Sequence, residues 1–328
     1  MTGTAAACRP HAGYAALIAA LASALALSLV CSAGIGVAGI PGSDPVMRRI
    51  VFEMRLPRAF SACLTGAAFA LAGALMQGLT GNPLADSGLL GINAGAALFV
   101  TLGTALRPSM TSLGTMAFAF SGGALAAALV YGLGAGRKPA AHIRLILAGS
   151  AVAAMLTALG QGAALAFGLS KDLSFWNSGS LSGISWARLG AASPWIIAAL
   201  GAAILLSGRL SVLALGEENA AGLGLNIRAF RLTGLAVALV LAGAGVSLAG
   251  GVSFLGLIVP HTARAFAGPD YRRIMPVAAL LGGLVLVLSD LAARMINAPF
   301  DTPVGALVSL IGVPVFFAMT CRGKGSGS

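Results

Sequence analysis

Asp290 and Arg294 stand four residues apart in an otherwise apolar run, so both fall on one face of a helix and can neutralise each other. Two more arginines, Arg55 and Arg58, flank Leu56-Pro57 and present guanidinium forks suited to carboxylates. Pro57 between them suits the first turn of a helix. A different chemistry is offered by Leu213-Ala-Leu-Gly-Glu-Glu-Asn-Ala-Ala-Gly-Leu-Gly-Leu-Asn226, too polar to be buried along its length but with Ala and Leu recurring at helical spacing. It predicts a short helix and a second turn about a hinge at Gly222 and Gly224, an element that rests on lipid or docks into another protein's groove. In Gly81-Asn-Pro-Leu-Ala-Asp-Ser-Gly-Leu-Leu-Gly91, Asn82-Pro83 ends one helix and the glycines release the next, which predicts a compact break. Gly251-Val-Ser-Phe-Leu-Gly-Leu-Ile-Val-Pro-His261, followed by Gly268-Pro-Asp-Tyr-Arg-Arg273, predicts a short, Pro-broken helix with His261 as an interfacial hydrogen-bonder.

Reactive chemistry finds little to work with. There is no G-x-x-x-x-G-K-[ST] phosphate loop, no H-E-x-x-H and no G-x-S-x-G. The three histidines (His11, His142, His261) are too dispersed for a metal cage, and the four cysteines show no C-x-x-C spacing. Of nine acidic residues, only Asp290 is expected well inside an apolar run, whereas a proton-coupled carrier usually needs several such carboxylates. We therefore expect no catalytic residues, no metal and no cofactor.

The elements that must position these residues follow from composition. The chain is 58% hydrophobic and 9% charged, far below the roughly 25% charged of a soluble domain, so most of its surface must meet lipid. Lipid forbids unpaired backbone groups, and the long continuous apolar runs select helices over a barrel. Ten spans are read, near 14–38, 59–79, 89–106, 113–135, 143–169, 189–208, 230–250, 252–267, 274–297 and 303–320. They form one transmembrane domain over 14–322, with tails at 1–13 and 323–328. An even count puts both termini on one side. With that side cytoplasmic, 12 basic residues lie inside and 8 outside. Half of the outside set falls in residues 48–58, which suggests a task besides topology. The net charge of +11 lies mostly between spans, facing anionic lipid rather than nucleic acid. The 46 glycines argue for close helix packing, with Gly91/Gly95 and Gly132/Gly136 at small-xxx-small spacing.

Taken in order, R-L-P-R, G-N-P-L-A-D, L-G-E-E-N-A-A-G-L-G, F-L-G-L-I-V-P-H, G-P-D-Y-R-R, D-L-A-A-R and the terminal P-V-G-A-L-V-S-L-I-G-V-P-V-F-F resemble the permease family of type II ABC importers for ferric siderophores, haem and vitamin B12. The resemblance runs from about residue 50 to 322. It implies an all-α, ten-span inner-membrane subunit that pairs with a second copy of itself around the transport pathway. Two cytoplasmic ATP-binding subunits and a periplasmic substrate-binding protein would complete the assembly. By match of motif, Arg55, Arg58 and Arg294 would meet acidic residues of the binding protein. Leu215, Gly216, Glu217, Glu218, Ala221, Gly222, Leu223 and Gly224 would couple to the ATPase, and Asn82, Leu84, Ala141 and His142 would form the cytoplasmic gate. His142 is bulkier than the family's pattern at that position. Phe175-Trp-Asn-Ser-Gly-Ser-Leu-Ser-Gly183 resembles haem-importing members more than those for vitamin B12, which favours haem slightly over a ferric siderophore.

Overall fold

A computed structural model describes residues 11–35, 45–86, 88, 91–134, 141–298 and 300–323. Ten helices correspond to the ten expected spans. They are α1 (His11–Gly34), α3 (Leu56–Thr80), α4 (Ile92–Leu106), α5 (Ser112–Gly134), α6 (Ala141–Ala166), α8 (Trp186–Leu213), α10 (Ile227–Ala249), α11 (Leu255–Ala267), α12 (Tyr271–Ile296) and α13 (Val304–Gly323). Three shorter helices join them: α2 (Pro45–Ile50), α7 (Ser170–Asn177) and α9 (Glu217–Gly222). No strand occurs among the described residues. Seven of the described helices are long and apolar enough to cross a membrane. The remaining three spans include α4 at 15 residues and α11 at 13.

Helix α3 is the axis of the bundle. It is buried along nearly its whole length because α8, α10, α11 and α12 surround it. Small residues permit that crowding. A Cβ on Gly66 would fall inside the carbonyl of Gly282 on α12, and one on Gly73 would fall inside Gly256 on α11. Gly95 and Gly122 make the same reciprocal contact between α4 and α5. Backbone-to-backbone approach of this kind supplies the dispersion contacts that associate helices in a solvent as apolar as their own side chains. Of the two spaced glycine pairs, Gly91/Gly95 does pack. Gly132 meets nothing within 4 Å, and Gly136 lies outside the described residues.

Two local expectations are extended and one is corrected. The chain is already helical before Pro57: α2 runs through a π-helical turn (Val51–Arg55), closed by Leu56 N–H donating to the Val51 carbonyl, straight into α3. The compact break expected at 81–91 reaches into the bundle. A Cβ on Gly91, at φ 65°, would lie 3.5 Å from the backbone of Ala153, in the middle of α6. The chain thus re-enters the bundle before α4 starts, and α4 is short for that reason. Gly222, expected as a hinge, is instead the last residue of α9 with open space around it. The left-handed positions are Gly216 (φ 108°) and Gly224 (φ 81°), on either side of the helix.

Candidate functional site

Two polar clusters occupy opposite faces of the bundle, and the re-entrant break lies between them. The first gathers Arg55 and Arg58 with Arg294, which lies 236 to 239 positions further along the chain on another span. The helix end of α1 explains two of them. Arg55 Nη1 donates to the carbonyls of Ala33 (3.4 Å) and Gly34 (3.2 Å), and Arg294 Nη2 donates to the Ser32 carbonyl (3.1 Å) and Oγ (2.5 Å). Consecutive carbonyls that a helix C-terminus leaves unpaired thus meet two cations, which also face the negative end of its dipole.

Asp290 is the centre of this cluster and is fully buried. Arg294 Nε approaches its Oδ2 at 3.3 Å, the pair expected from their spacing. Arg58 Nε donates to its Oδ1 at 2.8 Å, a pairing across 232 positions that no local pattern announces. The second nitrogen of Arg58 carries on to Asp301, at 3.1 and 3.2 Å from its two oxygens, and Ser182 Oγ donates to the same carboxylate at 2.8 Å. Asp301 is the member that sequence reasoning missed. It sits in a polar link between spans, with nothing in its neighbours to mark it.

The second cluster lies on the opposite face. Ala220 of α9 is buried against the bundle, while Leu215 and Leu223 stand 65% and 69% exposed beside it. Gly216, Glu217, Glu218, Ala221, Gly222 and Gly224 are exposed as well, so all eight residues expected in this element lie together on one projecting knob. The knob is fixed by Glu217 pairing with Arg231 at 2.6 Å, and by Asn226 accepting the Ala229 N–H at 3.1 Å to cap α10. A cleft of about 440 Å³ runs beside it, lined by Gln77, Thr80, Pro83, Glu217, Arg231 and Arg264 among others.

Behind that cleft is a polar chain that sequence reasoning did not find. Gln77, buried on α3, donates to the Leu257 carbonyl at 3.1 Å and accepts from Arg264 at 3.5 Å. Arg264 also donates to the Tyr271 hydroxyl at 3.0 Å. The Tyr271 N–H donates to Ser211 Oγ at 2.9 Å, and Ser211 donates to Asp270 at 2.7 Å. Burial works to raise the Asp270 carboxyl. The Ser211 hydroxyl, the Arg272 N–H and the charges of Arg272 and Arg273 outweigh it and hold the group below the usual carboxylate range. The chain ties α3, α8, α11 and α12 together where the knob emerges. Its visible signals were a glutamine at 77 in an Ala/Leu-rich span and the Gly268-Pro-Asp-Tyr-Arg-Arg273 stretch, which nothing in their spacing joins.

Between the faces, Asn82 accepts the Leu84 N–H at 2.9 Å in an Asx turn, and Leu84 is 48% exposed. Asp86 lies against Gly256 at the start of α11. Non-helical backbone at membrane depth is tolerated only where it is buried in protein or lines water. The structure brings Asn82 and Leu84 to the mouth of this break. Ala141 and His142 open α6, but their side chains lie outside the described residues. Among the described residues no group of three His, Cys, Asp or Glu comes together to hold a metal.

The FecCD transport family matches residues 14–322. The iron(3+)-hydroxamate import system permease protein FhuB of Bacillus subtilis (strain 168) is 42% identical over 277 residues, which are 84% of this chain and 72% of that protein. The Fe(3+) dicitrate transport system permease protein FecC of Escherichia coli (strain K12) is 39% identical over 319 residues, 93% of this chain and 95% of that protein. A metal-chelate type ABC transporter solved in an inward-facing conformation superposes with a TM-score of 0.85 at 27% identity, over 94% of this chain and 99% of the other.

Proposed function

The chain belongs to the FecCD transport family, and from that premise we propose that it works as a homodimeric inner-membrane importer of a ferric chelate, powered and loaded by separate proteins. That it is a multi-pass ABC permease subunit for iron chelates follows from the family and from relatives matched along nearly their whole length. The finer reading is built on the two faces.

The observation that carries it is the knob at 213–226. A short helix that buries one alanine and is flanked by two outward leucines, Leu215 and Leu223, is poorly suited to bare cytosol and well suited to a groove in a partner. The partner we assign is the ATP-binding subunit, one per copy, since the chain has no phosphate loop of its own. This makes the knob face cytoplasmic, together with both termini. The arginine cluster then faces the periplasm, where it receives a binding protein. Two-fold symmetry would offer one cluster to each lobe of such a partner. Asn82 and Leu84, with Ala141 and His142, would close the cytoplasmic end of the pathway. A second copy is supported by α6, whose exposed face carries Ala151, Ala154, Thr157, Ala158 and Gln161. Thr157 and Gln161 suit a partner helix or a watered pathway better than hydrocarbon.

For the cargo, the two relatives named above are permeases for ferric hydroxamate and ferric dicitrate. The segment Phe175–Gly183, which favours haem by resemblance, is occupied with packing. The Trp176 carbonyl accepts the Gly251 N–H at 2.9 Å, Ser180 N–H donates to Ala249 at 2.8 Å, and Leu181 is fully buried. We therefore place a ferric hydroxamate or citrate ahead of haem. Competition uptake in proteoliposomes holding the complete importer tests this. Radiolabelled ferric hydroxamate or ferric citrate should accumulate and haem should not compete. Haem uptake that neither ferric chelate inhibits would overturn the assignment.

A further inference from the structure

The arginines assigned to docking are already engaged inside the subunit, and their partners differ in one respect. Asp290 is sealed at 0% exposure between Arg58 and Arg294. Asp301 is 33% exposed, holds Arg58 from the outside, and stands on the link between α12 and α13. Arg58 Nη2 is buried with no hydrogen-bond partner, so the guanidinium has a donor to spare and one replaceable acceptor. We infer that Asp301 is an internal stand-in for a carboxylate of the binding protein, and that docking exchanges one carboxylate for the other on Arg58. The inference rests on the docking reading given above and adds a competitor to it.

Asp301 is also the firmest tether of its link. Phe300 N–H closes a turn inside the link on the Asn297 carbonyl at 2.8 Å, but the backbone bonds that tie this stretch to other elements are long, Thr302 N–H to the Ala293 carbonyl at 3.4 Å and Gly305 N–H to Gly179 at 3.3 Å, whereas the Ser182–Asp301 bond is 2.8 Å. Gly305, on the first turn of α13, is seated against the carbonyls of Ser178 and Gly251. Releasing Asp301 therefore loosens α13 from the 178–182 loop and from the break between α10 and α11. Docking would in this way reach the helices that bear on the pathway, without a separate device.

The test uses the complete importer in nanodiscs and its cognate binding protein. Asp301→Asn keeps an acceptor for Ser182 and removes the competing charge, so binding-protein affinity at low salt should rise by about fivefold, the scale of a partly exposed ion pair. Asp301→Glu, which restores the charge, should return affinity toward the wild type. Equal or weaker binding by Asp301→Asn overturns the inference, because Asp301 is then structural or is itself a docking residue. A second measurement needs no variant: on docking, the amides of Thr302 and Gly305 in the wild type should exchange hydrogen faster. Unchanged or slower exchange contradicts release. A wild type that never binds its binding protein sinks the docking reading itself, a result distinct from either of these.

Discussion

At the scale of residues, the decisive feature is a carboxylate buried between two guanidinium groups. Asp290 is held at 2.8 Å by Arg58 and 3.3 Å by Arg294. Taking charges out of water is offset only when each is paired, and removing one partner strands the rest. Asp290→Ala should therefore lower the stability of the detergent-solubilised subunit by about 3–5 kcal/mol, read as a fall in its thermal midpoint. An unchanged midpoint would show that water reaches the arginines and that the cluster is a surface feature. Half of this arrangement is legible in the sequence. Asp290 and Arg294 share a helical face, so their spacing announces the pair. Arg58 with Asp290, Arg58 with Asp301 and the capping of α1 by Arg55 join residues brought together only by the packing of α1, α3 and α12. No periodicity encodes such contacts. The structure accordingly changes what the three arginines mean: they pin the bundle before they meet anything outside it.

Among the elements, the spans themselves are the most readable part, because lipid enforces long apolar helices and polar joints mark their ends. What escapes is the packing that tolerates irregular chain inside the membrane, and Pro260, expected to break the short α11, lies inside one unbroken helix. Gly91 beside Ala153 and the short α11 opposite Asp86 depend on neighbours that shield bare backbone, and neighbours are a tertiary property. The hinge expected at Gly222 and Gly224 shows the same limit in small. Gly222-Leu-Gly224 suggests two equivalent glycines, yet only Gly224, with Gly216 before the helix, takes a positive φ. A side chain in that region costs about 1–2 kcal/mol, so Gly216→Val and Gly224→Val should each misplace the knob and reduce both ATPase co-purification and transport. Gly222→Ala, in a helical position with open space, should cost less than either. Pull-down of the ATP-binding subunit with each variant gives the order, and a larger loss at Gly222 would return the hinge to that residue.

For the whole molecule, the account is one of divided labour. The subunit offers a scaffold centred on α3, a re-entrant break at mid-depth, a charged cluster on one face and, on the other, a projecting knob with two exposed leucines. It carries no phosphate loop, and its most deeply buried carboxylate is already neutralised by arginines. These features fit the permease part of an ABC importer, the role its family shows. The measurement that tests this most directly is uptake of a radiolabelled ferric chelate into proteoliposomes holding the permease alone or with its ATP-binding subunit and binding protein. The account predicts accumulation only in the complete assembly and only with hydrolysable ATP, with no response to a proton or sodium gradient. Gradient-driven accumulation by the permease alone would contradict it.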